Sequence, residues 1–191
     1  ILGLLLTFCM LLTMSGCSAK QQFTTDKFVE VAEDMDIEAY DDEHDMVMDT
    51  SYFFKNTGYI VLHDDSAQNY YDNFINRSRI FGNYDIQELG VIYDGIENKT
   101  LILMLTFENS DDAKGFQEDC TENIKDKNEA IEAYGEKNGC SYAYCVRENG
   151  GCFAAYCQGD TAIYLQSDEK NSNCINEFCE LMKIQSPFDK E

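Results

Sequence analysis

Beyond residue 22 the apolar positions switch repeatedly between a helical and an extended period, and the switches mark out the elements. Phe28, Val31, Ala32 and Met35 share one face of a helix that Thr24 or Thr25 caps, with Asp26 in its first turn. Ile37 to Tyr40 reads as a short strand, and Gly58 to Leu62 (GYIVL) as a buried one. Ser66 is placed to cap a second helix bearing Tyr70, Tyr71, Phe74 and Ile75. Ile86 to Tyr93 and Thr100 to Phe107 form a strand pair across the turn-rich Asp94-Gly95-Ile96-Glu97-Asn98. A third helix starts at Ser110 and carries Ala113, Phe116, Cys120 and Ile124. Three short strands follow, from Ser141 to Val146, Gly151 to Cys157 and Thr161 to Gln166, with turn signals at Asn149-Gly150 and Gly159-Asp160. Ser172 caps a closing helix that turns Ile175, Phe178, Cys179 and Met182 to one side. Met46 to Phe54 fits neither period.

An apolar strand, an acidic or Ser-containing junction and an aromatic-bearing helix recur in that order. The instances are YIVLHDDSAQNYYDNF, LILMLTFENSDDAKGF and AIYLQSDEKNSNCINEF. Either an internal duplication or the shared chemistry of strand-to-helix junctions produces such a pattern, and the second is the simpler account. Both lead to an α+β fold: a mostly antiparallel sheet with helices packed on one face, its C-terminal three-stranded meander followed by a helix.

The chain opens on ILGLLLTFCMLLT, uncharged and apolar but shorter than the ~20 residues a spanning helix needs. That length suits the apolar region of an export signal, whose basic start and initiator Met are expected ahead of Ile1. Met14-Ser15-Gly16-Cys17 then resembles the lipobox of bacterial lipoproteins, with Met14 where that family usually has Leu, Val or Ile. The resemblance implies cleavage between Gly16 and Cys17 and a diacylglyceryl group on the Cys17 thiol. Two acyl chains are enough for stable membrane attachment. MSGC, the opening FTTDKFVEVAEDMDIEAYDD and the strand GDTAIYL with its closing helix together resemble small lipoproteins of Gram-positive bacteria. That likeness implies a place on the outer face of the cell membrane and carries no reaction with it. The expected organisation is a signal over 1–16, a lipid-anchored tether over 17–22 and one acidic extracytoplasmic domain over 23–191.

Charge narrows the partners. Fourteen Lys and Arg against 36 Asp and Glu give a formal charge of −22. Nucleic-acid binding rests on neutralising phosphates with cations, so this composition argues against it. Anionic headgroups would repel the domain too, which leaves the anchor as its means of membrane contact.

Besides Cys9 and Cys17 the chain has Cys120, Cys140, Cys145, Cys152, Cys157, Cys174 and Cys179. Seven is odd, so at least one thiol stays outside any internal pairing. A four-residue loop from Arg147 to Gly150 would set Cys145 opposite Cys152 and Cys140 opposite Cys157, permitting two disulfides. A two-residue Asn149-Gly150 turn would instead separate both pairs. The remaining reading is that all are small, reduced core residues. The five-residue offsets do not suit a structural zinc site.

No Gly-x-Ser-x-Gly, Walker A or dinucleotide fingerprint is present, and no cofactor or resident metal is expected. His63-Asp64-Asp65 at a strand end and the acidic run from Asp41 to Asp45 around His44 are the places where a divalent cation or small ligand could bind. Neither has the spacing of a defined site, so catalysis is not expected. Tyr142, Tyr144, Tyr156 and Tyr164 lie on neighbouring predicted strands; filling the core or covering the sheet is the simpler account of them, while outward-facing tyrosine is a favoured contact residue. The expectation is a cell-surface interaction or binding module for a protein partner, with small-ligand or cation binding as the alternative.

Overall fold

A computed structural model of the chain describes residues 23–40, 57–94, 100–126, 133–167 and 172–189. Its centre is a seven-stranded sheet in the order β1-β2-β3-β7-β6-β5-β4, with every neighbouring pair antiparallel. The strands are β1 (Gly58–His63), β2 (Ile86–Asp94), β3 (Thr100–Phe107), β4 (Ala133–Lys137), β5 (Cys140–Val146), β6 (Cys152–Gln158) and β7 (Thr161–Ser167). The helices are α1 (Thr25–Asp34), α2 (Asp64–Tyr70), α3 (Ser110–Asp126) and α4 (Ser172–Met182). Two meanders, β1-β2-β3 and β4-β5-β6-β7, meet where β3 pairs β7, with Leu103 opposite Tyr164. The α+β class and the C-terminal meander with its closing helix are as the periodicity predicts.

The placing of the helices departs from expectation, because both faces of the sheet are covered. On one face Leu62, Leu89, Val91, Leu103, Leu105 and Phe153 pack against α2, the residue Tyr71 just beyond it, and α3, through Tyr70, Phe116 and Cys120. On the other, Ile92, Ile102, Met104, Tyr156, Ile163 and Leu165 pack against α1 and α4 through Phe28, Val31, Ile175 and Phe178. The sign was in the strands themselves. β3 reads TLILMLTF, and an almost unbroken apolar run has no face left for water.

Local chemistry accounts for the helix ends. Thr24 caps α1 by accepting from the Lys27 amide at 3.2 Å. At its other end the Ile37 amide reaches the Ala32 carbonyl and the Asp36 amide reaches Glu33, a Schellman closure with Asp36 at φ 56°. The closure of α4 is the same, with Ile184 bonded to Cys179, Lys183 to Glu180, and Lys183 at φ 59°. α2 starts three residues earlier than a Ser66 cap would give, directly after His63, and Asp64 makes the strand-to-helix change at φ 48°. The chain then widens into a π-turn over Tyr71–Ile75, closed by the Asn76 amide on the Tyr71 carbonyl at 2.7 Å.

Sequence periodicity misses β4, whose residues AYGEK carry almost no buried side chain. The predicted strand from Ile37 to Tyr40 reduces to one parallel bridge, Ala39 with Tyr59, along the β1 edge. Met46 to Phe54 lies outside the described residues.

Candidate functional site

The β5–β6 hairpin decides the fate of the proposed disulfides. It pairs Val146 with Cys152 and Cys145 with Phe153, a register midway between the two considered. The loop is Glu148-Asn149-Gly150, with the Gly150 amide on the Arg147 carbonyl at 2.9 Å and Gly150 at φ 87°. Such a three-residue turn uses the left-handed glycine to keep the strands in step. A shift of one residue reverses faces. Cys145 and Cys157 therefore join the α2/α3 face, and Cys140 and Cys152 the α1/α4 face. In this register Cys145 and Cys152 lie on opposite faces of the sheet, as do Cys140 and Cys157. All seven described cysteines are thiols, and six are buried. Burial pushes the thiols of Cys140, Cys152 and Cys179 up to about 12 and that of Cys157 to about 11.

Cys17, Gly16, His44 and the run from Asp41 to Asp45 lie outside the described residues. His63 closes β1 opposite Glu88, with Nδ1 3.6 Å from Oε1, and the Thr25 hydroxyl donates to the other Glu88 oxygen. Asp64 and Asp65 occupy the first turn of α2, where the helix dipole favours them. The trio forms a strand-to-helix corner. Among the described residues no group of three or more His, Cys, Asp or Glu is placed to hold a metal ion.

Of the tyrosines, Tyr144, Tyr156 and Tyr164 are core residues. Tyr156 donates to the Gln185 carbonyl at 2.7 Å, tying the C-terminal segment to the sheet. Tyr142 stacks on Tyr144 with ring centroids 5.9 Å apart and lies over Gly135. Among the described residues the well-exposed tyrosine is Tyr134, on the edge strand β4.

The site that periodicity does not reveal is an apolar cavity of about 230 Å3 on the α2/α3 side. Its floor is Leu101, Leu103, Tyr164 and Gln166 from the paired strands β3 and β7. Its walls are Tyr70, Phe74 and Ile75 from α2 and the π-turn, Ile80 and Phe81 from the following loop, and Asn123 from α3. The Tyr164 hydroxyl donates to Gln166 Oε1 at 3.1 Å, which places a polar pair on an otherwise apolar floor.

The loop that closes this cavity is firmly held. Asn76 is buried and donates to the Gly82 carbonyl at 3.1 Å while accepting from the Phe81 amide at 3.0 Å. The Tyr71 hydroxyl donates to the same carbonyl at 2.8 Å. Asp119 on α3 accepts from the Gly82 amide at 2.6 Å and the Tyr84 hydroxyl at 2.7 Å. Burial, reinforced by the Asp119 carboxylate, raises the Tyr84 phenol well above its ordinary value, so it remains a donor. Phe81, Phe107 and Tyr84 pack edge-on or tilted around Phe116 behind the loop. The cavity is thus preformed, and Ile80, 53% exposed, stands at its rim.

No family model matches the chain, and no curated protein is similar to it in sequence. Among solved structures the chain is similar to the extracellular domain of PknH from Mycobacterium tuberculosis. The likeness covers 84% of this chain and 94% of that one at 10% identity, with a TM-score of 0.42. Among the described residues no helix is long and apolar enough to cross a membrane.

Proposed function

We propose that the chain is a lipid-anchored extracytoplasmic binding protein whose domain holds a small, mainly apolar molecule in the cavity between the π-turn and the β3–β7 ladder. The preformed cavity carries this reading. Its size exceeds the roughly 150 Å3 that accommodates a benzene ring in an apolar protein interior. A few polar groups on an apolar lining are the usual make-up of a small-molecule site. The lipobox supports the anchor: Cys17 takes the lipid, and the polar residues that follow it tether the domain close to the membrane.

Two measurements test this. Titration of the full chain with phenylpropanol is expected to give saturable shifts of the Tyr164 and Phe74 resonances, lost in Leu101→Trp, which fills the cavity. Shifts that never saturate, or that survive in Leu101→Trp, would remove the reading. Intact mass of the protein from its own membranes is expected to show cleavage before Cys17 plus a diacylglyceryl group. An unmodified Cys17 would remove the anchor.

A second reading, a protein-interaction module, draws on the exposed edge strand β4 with Tyr134. It ranks lower because both sheet faces are covered, which leaves little tyrosine surface for a partner. Cross-linking at a photoreactive residue in place of Tyr134 would reveal such a partner, and an empty result at native levels would dismiss it.

A further inference from the structure

The distribution of arginine sharpens the ligand class. The chain has three arginines, Arg77, Arg79 and Arg147, in a molecule of formal charge −22. Two of them flank the cavity in sequence, and the third is linked to its floor through Phe153. Arg77 and Arg79 sit on the turn closed by the Arg79 amide on the Asn76 carbonyl at 2.8 Å, between the lining residues Ile75 and Ile80. Both are exposed, and among the described residues neither is in an ion pair. Arg79 is held at φ 53°, an unfavourable conformation for a long side chain. The third packs on a strand neighbour of the floor. The Arg147 guanidinium lies 4.3 Å from the centroid of Phe153, and Phe153 pairs with Gln166. Its positive charge reaches Tyr164, where it opposes the effect of burial on the phenol.

Guanidinium groups present several N–H donors in a plane and match a carboxylate in two places at once. Elsewhere the acidic surface repels anions, so a local cluster of arginine at an apolar opening selects for one kind of molecule. We propose that the cavity takes an anionic amphiphile: a compact apolar body, ring-sized by volume, bearing one carboxylate that faces Arg77 and Arg79. This rests on the binding-protein reading above and adds to it the charge of the ligand.

A matched pair of probes separates the two ideas. Phenylpropionate and phenylpropanol share a body and differ in charge, and both are titrated into the full chain at low and high salt. Phenylpropionate is expected to bind about tenfold more tightly at low salt, since two exposed cations each contribute a modest factor. The preference should shrink in high salt. In the double variant Arg77→Gln/Arg79→Gln the two probes should bind alike, with phenylpropanol unchanged from the parent. Both substitutions are at exposed positions, and the unchanged phenylpropanol affinity reports an intact cavity. Equal affinities in the parent protein would overturn the anionic class and leave the cavity reading standing. Saturable binding of neither probe would overturn both. A preference for phenylpropionate that persists in the double variant would place the anion elsewhere and sink the role of these arginines.

Discussion

At the scale of single residues, burial decides chemistry more than residue type does. Cys174 is the partly exposed member of the seven described thiols, and the other six are enclosed by the two helix–sheet interfaces. A soluble maleimide applied to the folded protein is therefore expected to modify Cys174 first. In denaturant without reductant all seven should react, as mass spectrometry of the peptides would show. Fewer than seven would mean a disulfide that this fold does not contain. Asp36 offers a separate test. It occupies the left-handed position after α1, where a side chain costs roughly 1 kcal/mol, and its carboxylate stands at the negative end of the helix dipole. Asp36→Gly is expected to stabilise the protein by about 1 kcal/mol in a urea titration, after the entropic cost of glycine in the unfolded chain. Lys183, at the matching position of α4, should gain less, because a cation there suits the dipole.

At the scale of elements, close approach is the organising fact. Phe28 of α1 rests directly on Gly90 of β2, and a Cβ at that glycine would come within 2.7 Å of the ring. Gly90→Ala is expected to lift α1 and cost about 1–3 kcal/mol by overpacking, with much of the loss recovered in Gly90→Ala/Phe28→Leu. A double variant no better than the single one would locate the strain elsewhere. Periodicity identified all four helices and six of the seven strands near their true positions, since long runs such as LILMLTF and the stripe Ile175, Phe178, Cys179, Met182 have one solution each. It failed where the decisive information is not periodic. AYGEK has no apolar face to announce β4, and the register of β5 against β6 turned on a three-residue loop rather than on any apolar pattern. The cavity was hidden for the same reason. Its walls include a π-turn and an irregular loop, and the hydrogen bonds of Asn76, Tyr71 and Asp119, which carry no periodic signal, hold the loop bearing Ile80 and Phe81.

For the whole molecule, two covered faces bury an unusual number of groups that ionise in alkali. The folded-state values of Cys140, Cys152 and Cys179 are raised to about 12 from an ordinary 9.0, and Tyr70, Tyr71 and Tyr156 are raised by burial as well. An unfolded chain releases these protons first, so the folded state binds more of them and stability must fall with rising pH. The contribution is complete below about pH 9 and is lost as the pH climbs towards 12. Urea midpoints are expected to hold near neutrality and decline steadily above about pH 9; a flat profile to pH 11 would contradict the burial of these thiols and phenols. The same layering also orients the molecule. The described chain begins at the buried Phe23 and ends beyond α4, both on the face opposite the cavity, with Phe28 and Phe178 in edge contact at 6.4 Å. A lipid pulling at Cys17 would hold that face towards the bilayer and turn the mouth of the cavity to the surroundings. A fluorophore on Cys174 should then be quenched by headgroup spin labels more strongly than one at Ser78→Cys. From that placement molecules would reach the site from the medium rather than from the membrane beneath it.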